Sequence, residues 1–109
     1  MDNSLVLTFD VGTQSARGVL VDSAGNILYK SQKQYEQPYY SINPGWAEQR
    51  PDFYWEIICS CSQDLKKQSG ERWSDIVAVT LTTIRATSVC LDENGTPLRD
   101  AIVWLDNRE

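Results

Sequence analysis

Residues 10–17 read Asp10-Val11-Gly12-Thr13-Gln14-Ser15-Ala16-Arg17. Residues of these types at this spacing can hold a phosphate and its metal. Gly12 lets the backbone come close to an anion. The successive N–H groups of a turn through Thr13, Gln14 and Ser15 form an anion-binding nest, and two of those residues add hydroxyls. Asp10 offers hard carboxylate oxygens to Mg²⁺, directly or through water. Arg17 can neutralise phosphate charge. The same spacing serves a tight hairpin whose aspartate caps the turn. Short glycine motifs are common, so spacing alone leaves both readings open.

Three other stretches carry polar chemistry. Gly45-Trp46-Ala47-Glu48-Gln49-Arg50-Pro51 is either a loop beside a polyol site or helix-entry chemistry with Trp46 anchored in the core. Thr82-Thr83-Ile84-Arg85-Ala86 follows an apolar run, and the ends of such strands commonly line a ligand crevice. Arg85 there can hydrogen-bond sugar hydroxyls or sit at a surface turn. Near the end, Trp104 and Asp106 can form a pocket wall or close an ordinary strand. The chain has no histidine, which removes imidazole acid–base chemistry and every histidine-containing metal site from these residues.

The elements that must position these groups follow from periodicity. Leu5–Phe9 is an apolar run stopped by a glycine turn, hence a buried strand. Arg17–Asp22 predicts a second strand, Ser23–Asn26 a turn, and Ile27–Tyr35 a third strand, giving an antiparallel meander. Glu36–Arg50, with Pro38, Asn43-Pro44-Gly45 and three aromatics, is a loop. Pro51 and Asp52 suit a helix start. Phe53, Ile57, Cys61 and Leu65 then recur every four residues, and Lys66, Lys67 and Gly70 suit a helix end, so a helix is predicted from about Pro51 to about Ser69. Ile76–Leu81 predicts a buried, central strand. Thr87–Leu91, the turn Glu93-Asn94-Gly95 and Ala101–Trp104 predict strand, turn and strand. The order is βββ-α-β-ββ, an α/β chain with a mixed sheet.

Composition bounds the function. At 109 residues the chain suffices for one small domain and not for two with a cleft between them. A hydrophobic fraction of 41% and a charged fraction of 23% are ordinary for a folded protein. The net charge of −5 makes DNA, RNA and anionic lipid poor partners. No window approaches the roughly 18 apolar residues of a membrane span. The start Met1-Asp2-Asn3-Ser4 is not that of a signal peptide. Cys59, Cys61 and Cys90 are an odd count, and the first two are too close to bridge, which fits reduced thiols in the cytoplasm.

In order, the motifs Asp10-x-Gly12-Thr13-x-Ser15-x-Arg17, Trp46-x-Glu48-Gln49, the strand Ile76–Leu81, Leu91-Asp92-x-x-Gly95-x-Pro97-Leu98 and Ala101-Ile102-Val103-Trp104-x-Asp106-x-Arg108 resemble the N-terminal region of FGGY carbohydrate kinases. The resemblance runs from Leu5 to Arg108. It implies the ribonuclease H-like fold of the actin–hexokinase–chaperone superfamily, with three antiparallel strands first and helix–strand units after. It also implies transfer of the γ-phosphoryl of MgATP to a sugar or polyol hydroxyl. Asp10, Gly12, Thr13, Gln14, Ser15 and Arg17 then face ATP and Mg²⁺, with Asp10 toward the metal. Arg85, Ala86, Trp104 and Asp106 face the sugar.

The family's catalytic aspartate and adenosine site lie downstream of anything here. Residues 1–109 are therefore expected to be the first part of the first domain, with the second domain absent. This piece is expected to be inactive alone and to self-associate as a homodimer or swapped assembly. Glycerol kinases carry Arg-Glu, and xylulose kinases commonly Met-His, where this chain has Arg85-Ala86, so the resemblance implies no particular sugar. The competing readings are a non-catalytic phosphate- or nucleotide-binding module and an actin- or chaperone-like ATPase. Trp46-x-Glu48-Gln49 and Trp104-x-Asp106-x-Arg108 argue against the last.

Overall fold

In the computed structural model, which describes residues 2–82 and 84–108, the first strand β1 (Leu5–Val11) alternates strictly. Leu5, Leu7, Phe9 and Val11 are buried, and Val6, Thr8 and Asp10 point to the other face. A tight turn returns the chain as β2 (Ser15–Asp22), antiparallel to β1, and β3 (Ile27–Gln34) pairs antiparallel with β2. Asp22 closes the second turn, its carboxylate accepting from the N–H groups of Ala24 and Asn26. The meander is therefore as the sequence predicts.

The helix α1 spans Pro51–Ser69, with Pro51 in its first turn, Asp52 near the positive end of the dipole, and Lys66 and Lys67 at the other. Gly70, at φ +57°, ends it and donates its N–H to Lys66. Of the predicted apolar stripe, Cys61 and Leu65 are fully buried, and Tyr54 and Ile58 pack beside them on Leu5, Leu7, Phe9 and Leu20. The helix lies over β2 and β3. It comes so close that a Cβ at Gly18 would stand 2.9 Å from Leu65 Cδ1 and 3.1 Å from the Phe9 ring, so this position needs a glycine for room. Polar links hold the outer margin: Lys33 and the Ser31 hydroxyl both reach Asp64, and Gln68 donates to the Lys30 carbonyl.

A 3₁₀ segment, Gly70–Asp75, leads into β5 (Ile76–Thr82), which runs parallel to β1. Joining parallel strands requires a crossover, and α1 supplies it. The sheet order is β3-β2-β1-β5. Among the described residues Ile76–Leu81, expected to be central and buried, pairs with β1 on one side alone, and its side chains are open: Val77, Val79 and Leu81 are 68%, 62% and 48% exposed. The reason is lateral. Val79 and Leu81 share a face with Leu7 and Phe9, but α1 sits over the far side of the sheet.

Thr87–Leu91 is likewise not a strand. Among the described residues it makes only single bridges, Ser88 to Ile102 and Leu91 to Pro97, the latter around the turn Asp92–Thr96 that contains the predicted Glu93-Asn94-Gly95. With Val89, Leu91 and Leu98 exposed, no packed surface holds that stretch in an extended ladder. Of Ala101–Trp104, only Ala101–Ile102 is strand (β6). It pairs antiparallel with a short strand, β4 (Glu48–Gln49), inside the predicted loop.

Candidate functional site

Asp10, next to last in β1, has Arg17 of β2 and Thr82 of β5 as its register neighbours, so the three lie in one row on the face away from α1. Asp10 Oδ1 accepts the Thr82 hydroxyl at 3.0 Å, and both Asp10 and Arg17 are exposed. Just beyond, the chain turns within four residues: the Gly12 N–H donates to the Ser15 carbonyl at 2.9 Å. A Cβ at Gly12 would meet that same oxygen at 3.1 Å, so glycine keeps this turn tight. Thr13 and Ser15 are half-buried, and Gln14 is exposed.

Trp104 reaches this turn. Its ring is 54% exposed, and its indole N–H donates to the Thr13 hydroxyl at 2.9 Å. Structure thus joins a predicted phosphate-loop residue to a predicted sugar-wall residue. Arg85 and Ala86 form an exposed turn after β5 that feeds into Ser88, which bridges Ile102, two residues before Trp104. Ala86 has φ +53°, the left-handed region, and is the one non-glycine there among the described residues. Thr83 lies outside the described residues.

Asp106 behaves differently from its neighbour. Its side chain is 1% exposed. Its carboxylate accepts the Ala47 N–H at 2.7 Å and, from Arg108, the backbone N–H and both arms of a guanidinium fork. The Arg108 hydrogen bonds hold its pKa far below the usual carboxylate range. These four donors occupy both oxygens, so Asp106 fixes the segment that carries Trp104. Arg108 also stacks on Trp46, with its guanidinium carbon 3.8 Å from the ring centroid. Trp46 is half-buried under that cation rather than sunk in the core. Glu48 is 3% exposed and pairs with Arg99, with Arg108 at 3.9 Å.

Sequence reasoning passed over Tyr35 as a site residue and left Gln49 as part of a loop or helix entry. Both touch the Gly12–Ser15 turn: the Tyr35 hydroxyl donates to the Gly12 carbonyl at 3.1 Å, and Gln49 Nε2 to the Thr13 carbonyl at 3.0 Å. Gln49 stands two residues before the helix start at Pro51, and nothing local in the sequence marks its contact with Thr13. Beside the turn, Tyr54 and Ile58 of α1 and Leu81, Ile84 and Val89 line an apolar groove of about 230 Å³.

The donor set suits a magnesium–phosphate group. One exposed carboxylate stands beside a hydroxyl and a guanidinium, and among the described residues no cluster of three or more His, Cys, Asp or Glu exists that would form an all-protein cage. Mg²⁺ binds in that way, through one or two carboxylates plus waters and substrate phosphates.

Comparison with known proteins gives consistent relatives. Glycerol kinases from Paraburkholderia phytofirmans and Burkholderia cenocepacia are 35% and 36% identical over 109 residues, 99% of this chain and 21% of theirs. Among solved structures, xylulose kinase from Rhodospirillum rubrum superposes with a TM-score of 0.84 at 29% identity, covering 95% of this chain and 21% of that one. Plasmodium falciparum glycerol kinase with ADP gives 0.79 at 27% identity, covering 96% and 21%. These neighbours carry the actin–hexokinase-like fold, and the mixed sheet of three antiparallel strands plus one parallel strand is its opening. The chain spans about a fifth of the length of these relatives. The model of the FGGY family of carbohydrate kinases, N-terminal domain, matches residues 5–109, and the chain belongs to that family.

Proposed function

We propose that this chain is the opening part of the first domain of an ATP-dependent kinase that phosphorylates a hydroxyl of a sugar or polyol. In such a step the acceptor oxygen attacks the γ-phosphorus, the bond to the β,γ-bridging oxygen breaks, and ADP leaves. The base that takes the hydroxyl proton lies outside these residues. Residues 10–17 bind and orient the phosphates: Arg17 offsets their charge, Asp10 holds Mg²⁺ directly or through water, and Thr13, Gln14 and Ser15 supply donors. Bound Mg²⁺ supplies charge neutralisation on the phosphates. Arg85, Ala86 and the exposed ring of Trp104 face the sugar, with Asp106 fixing that wall.

The observation that carries this reading is the row Arg17–Asp10–Thr82 beside the Gly12–Ser15 turn, at the same end of the sheet as Trp104. The odd number of cysteines, with Cys59 and Cys61 too close in sequence to bridge, supports a reducing, cytoplasmic setting. Sugar-dependent release of ADP, measured on the full-length protein with glycerol, xylulose and gluconate in turn, is the test. Phosphorylation of any one supports the reading. ATP binding without transfer to any polyol or sugar would instead favour a non-catalytic nucleotide-binding module.

A further inference from the structure

All four peptide carbonyls of the Gly12–Ser15 turn are occupied from within the protein. Gly12 O accepts the Tyr35 hydroxyl at 3.1 Å, Thr13 O accepts Gln49 Nε2 at 3.0 Å, Gln14 O accepts the Tyr35 N–H at 2.9 Å, and Ser15 O accepts the Gly12 N–H at 2.9 Å. In a planar trans peptide the C=O of one residue and the N–H of the next point in opposite directions. Drawing the Gly12 and Thr13 carbonyls inward therefore turns the N–H groups of Thr13 and Gln14 outward. Among the described residues, neither of those two N–H groups meets an acceptor.

Gln49 is the hub of this arrangement. It is 3% exposed, and its carboxamide is fully used: Nε2 donates to the Thr13 and Pro38 carbonyls, and Oε1 accepts the Tyr54 hydroxyl. Carbonyls only accept, so the end facing Thr13 and Pro38 must be the NH₂, which fixes the amide's orientation. Gln49 is itself held on β4 by β6, two residues before Trp104, which grips the hydroxyl of the same Thr13. A buried amide is costly without partners. Here its bond to the Thr13 carbonyl fixes the direction of the Gln14 N–H, and its bonds to Pro38 and Tyr54 hold the amide in place to make it. The Tyr35 hydroxyl on the Gly12 carbonyl does the same for the Thr13 N–H.

We propose that Gln49, seconded by Tyr35, is a positioning residue that pre-aims the Thr13 and Gln14 N–H groups at phosphoryl oxygens of the nucleotide. The proposal rests on the phosphate reading of residues 10–17. Donors fixed beforehand need no reorganisation when charge develops, which is where such groups gain their effect.

The test uses the full-length enzyme. Gln49→Glu keeps the shape and the acceptor for Tyr54 but sets carboxylate oxygen against two carbonyls. Tyr35→Phe deletes only the hydroxyl that holds Gly12. The first is expected to lower kcat/KM for MgATP about 10²-fold, as misplacement of positioned groups does, and the second about 10-fold. The KM for the sugar should stay within about two-fold in both, a split that a general loss of structure does not give.

Hydrogen exchange of the peptide covering residues 10–17, with and without MgATP, separates the two layers of the argument. Absence of MgATP protection in the wild type overturns the phosphate reading and the inference with it. Protection in the wild type, with MgATP parameters unchanged in both variants, overturns the inference alone. So does an equal loss for MgATP and sugar in Tyr35→Phe, which decides the matter where Gln49→Glu fails to fold.

Discussion

The indole N–H of Trp104 and the hydroxyl of Thr13 stand 2.9 Å apart, joining positions 91 residues apart in sequence. The contact makes the wall after β6 and the turn after β1 one unit. Because Trp104 donates, the Thr13 hydroxyl proton is free to point elsewhere, toward a ligand oxygen. A residue predicted for the sugar thus also holds the turn proposed for the phosphates.

That double role sets an order among variants of the full-length enzyme. Arg85→Ala and Trp104→Ala should weaken the sugar more than ATP, since both sit at strand ends where crevices form. Trp104→Phe keeps an aromatic face and loses only the N–H, so it should cost about 1 kcal/mol of MgATP affinity and spare the sugar. Titration of each ligand separately reads both effects. Equal losses on both ligands for all three variants would mean general destabilisation.

Asp10→Asn keeps the size of the side chain and the acceptor for Thr82 while removing the charge. Its loss should lower turnover about 10²–10³-fold, the usual scale for one electrostatic group aimed at developing charge. Steady-state rates at saturating MgATP and sugar measure this. Wild-type turnover would leave Asp10 as a turn residue only.

Much of this was legible in the sequence because the determinants are local. The alternation Leu5, Leu7, Phe9, Val11 and the Pro51 and Gly70 boundaries act within a few residues, and the elements formed there. The pairing of Glu48–Gln49 with Ala101–Ile102 was not legible, since two-residue strands have no period and the partners are far apart in the chain. The burial of β5 was misjudged because Val77, Val79 and Leu81 look the same in sequence whether or not anything covers them. In the site, Asp10–Arg17 could be read as a turn. Its support by Gln49 spans 36 positions and leaves no local trace.

Gly18→Ala probes the closeness of α1 to β2. The added methyl would stand 2.9 Å from Leu65 Cδ1 and 3.1 Å from the Phe9 ring, both in the core. Overpacking of this kind costs about 1–3 kcal/mol. Urea unfolding of the variant should show a lower midpoint with an unchanged slope. An unchanged midpoint would mean that the helix shifts freely on the sheet.

Asp106 gives an acid signature. Its pKa is lowered by Arg108, so its contribution is fully present above the ordinary 3.8 and is lost as pH falls from there through the folded-state value. The stability gap between wild type and Asp106→Asn should therefore be flat near neutrality and shrink below about pH 4. Thermal melts across that range test it. A gap that grows on acidification would reverse the sign and exclude the ion pair as its cause.

The edge strand bears on residues 1–109 expressed by themselves. β5 has β1 on one side and no neighbour on the other among the described residues, and it carries Val77, Val79 and Leu81 exposed. An unpaired, apolar edge is a template for another copy of itself. Exposed apolar groups next to the α1 groove add to the drive. We expect this segment alone to self-associate through β5 and to phosphorylate no sugar, since it supplies no base for the acceptor hydroxyl. Val79→Lys places a charge on that edge and should shift the segment toward monomer, while a lysine at the exposed Gln14 should not. Light scattering over a concentration series checks the first claim, and a clean monomer at high concentration would refute it. Sugar phosphate formed by the purified segment would refute the second, and would require a base among Asp10, Glu48, Asp92 and Asp106. The ion pair of Glu48 with Arg99 and the full set of donors on Asp106 argue against both of those residues in that role.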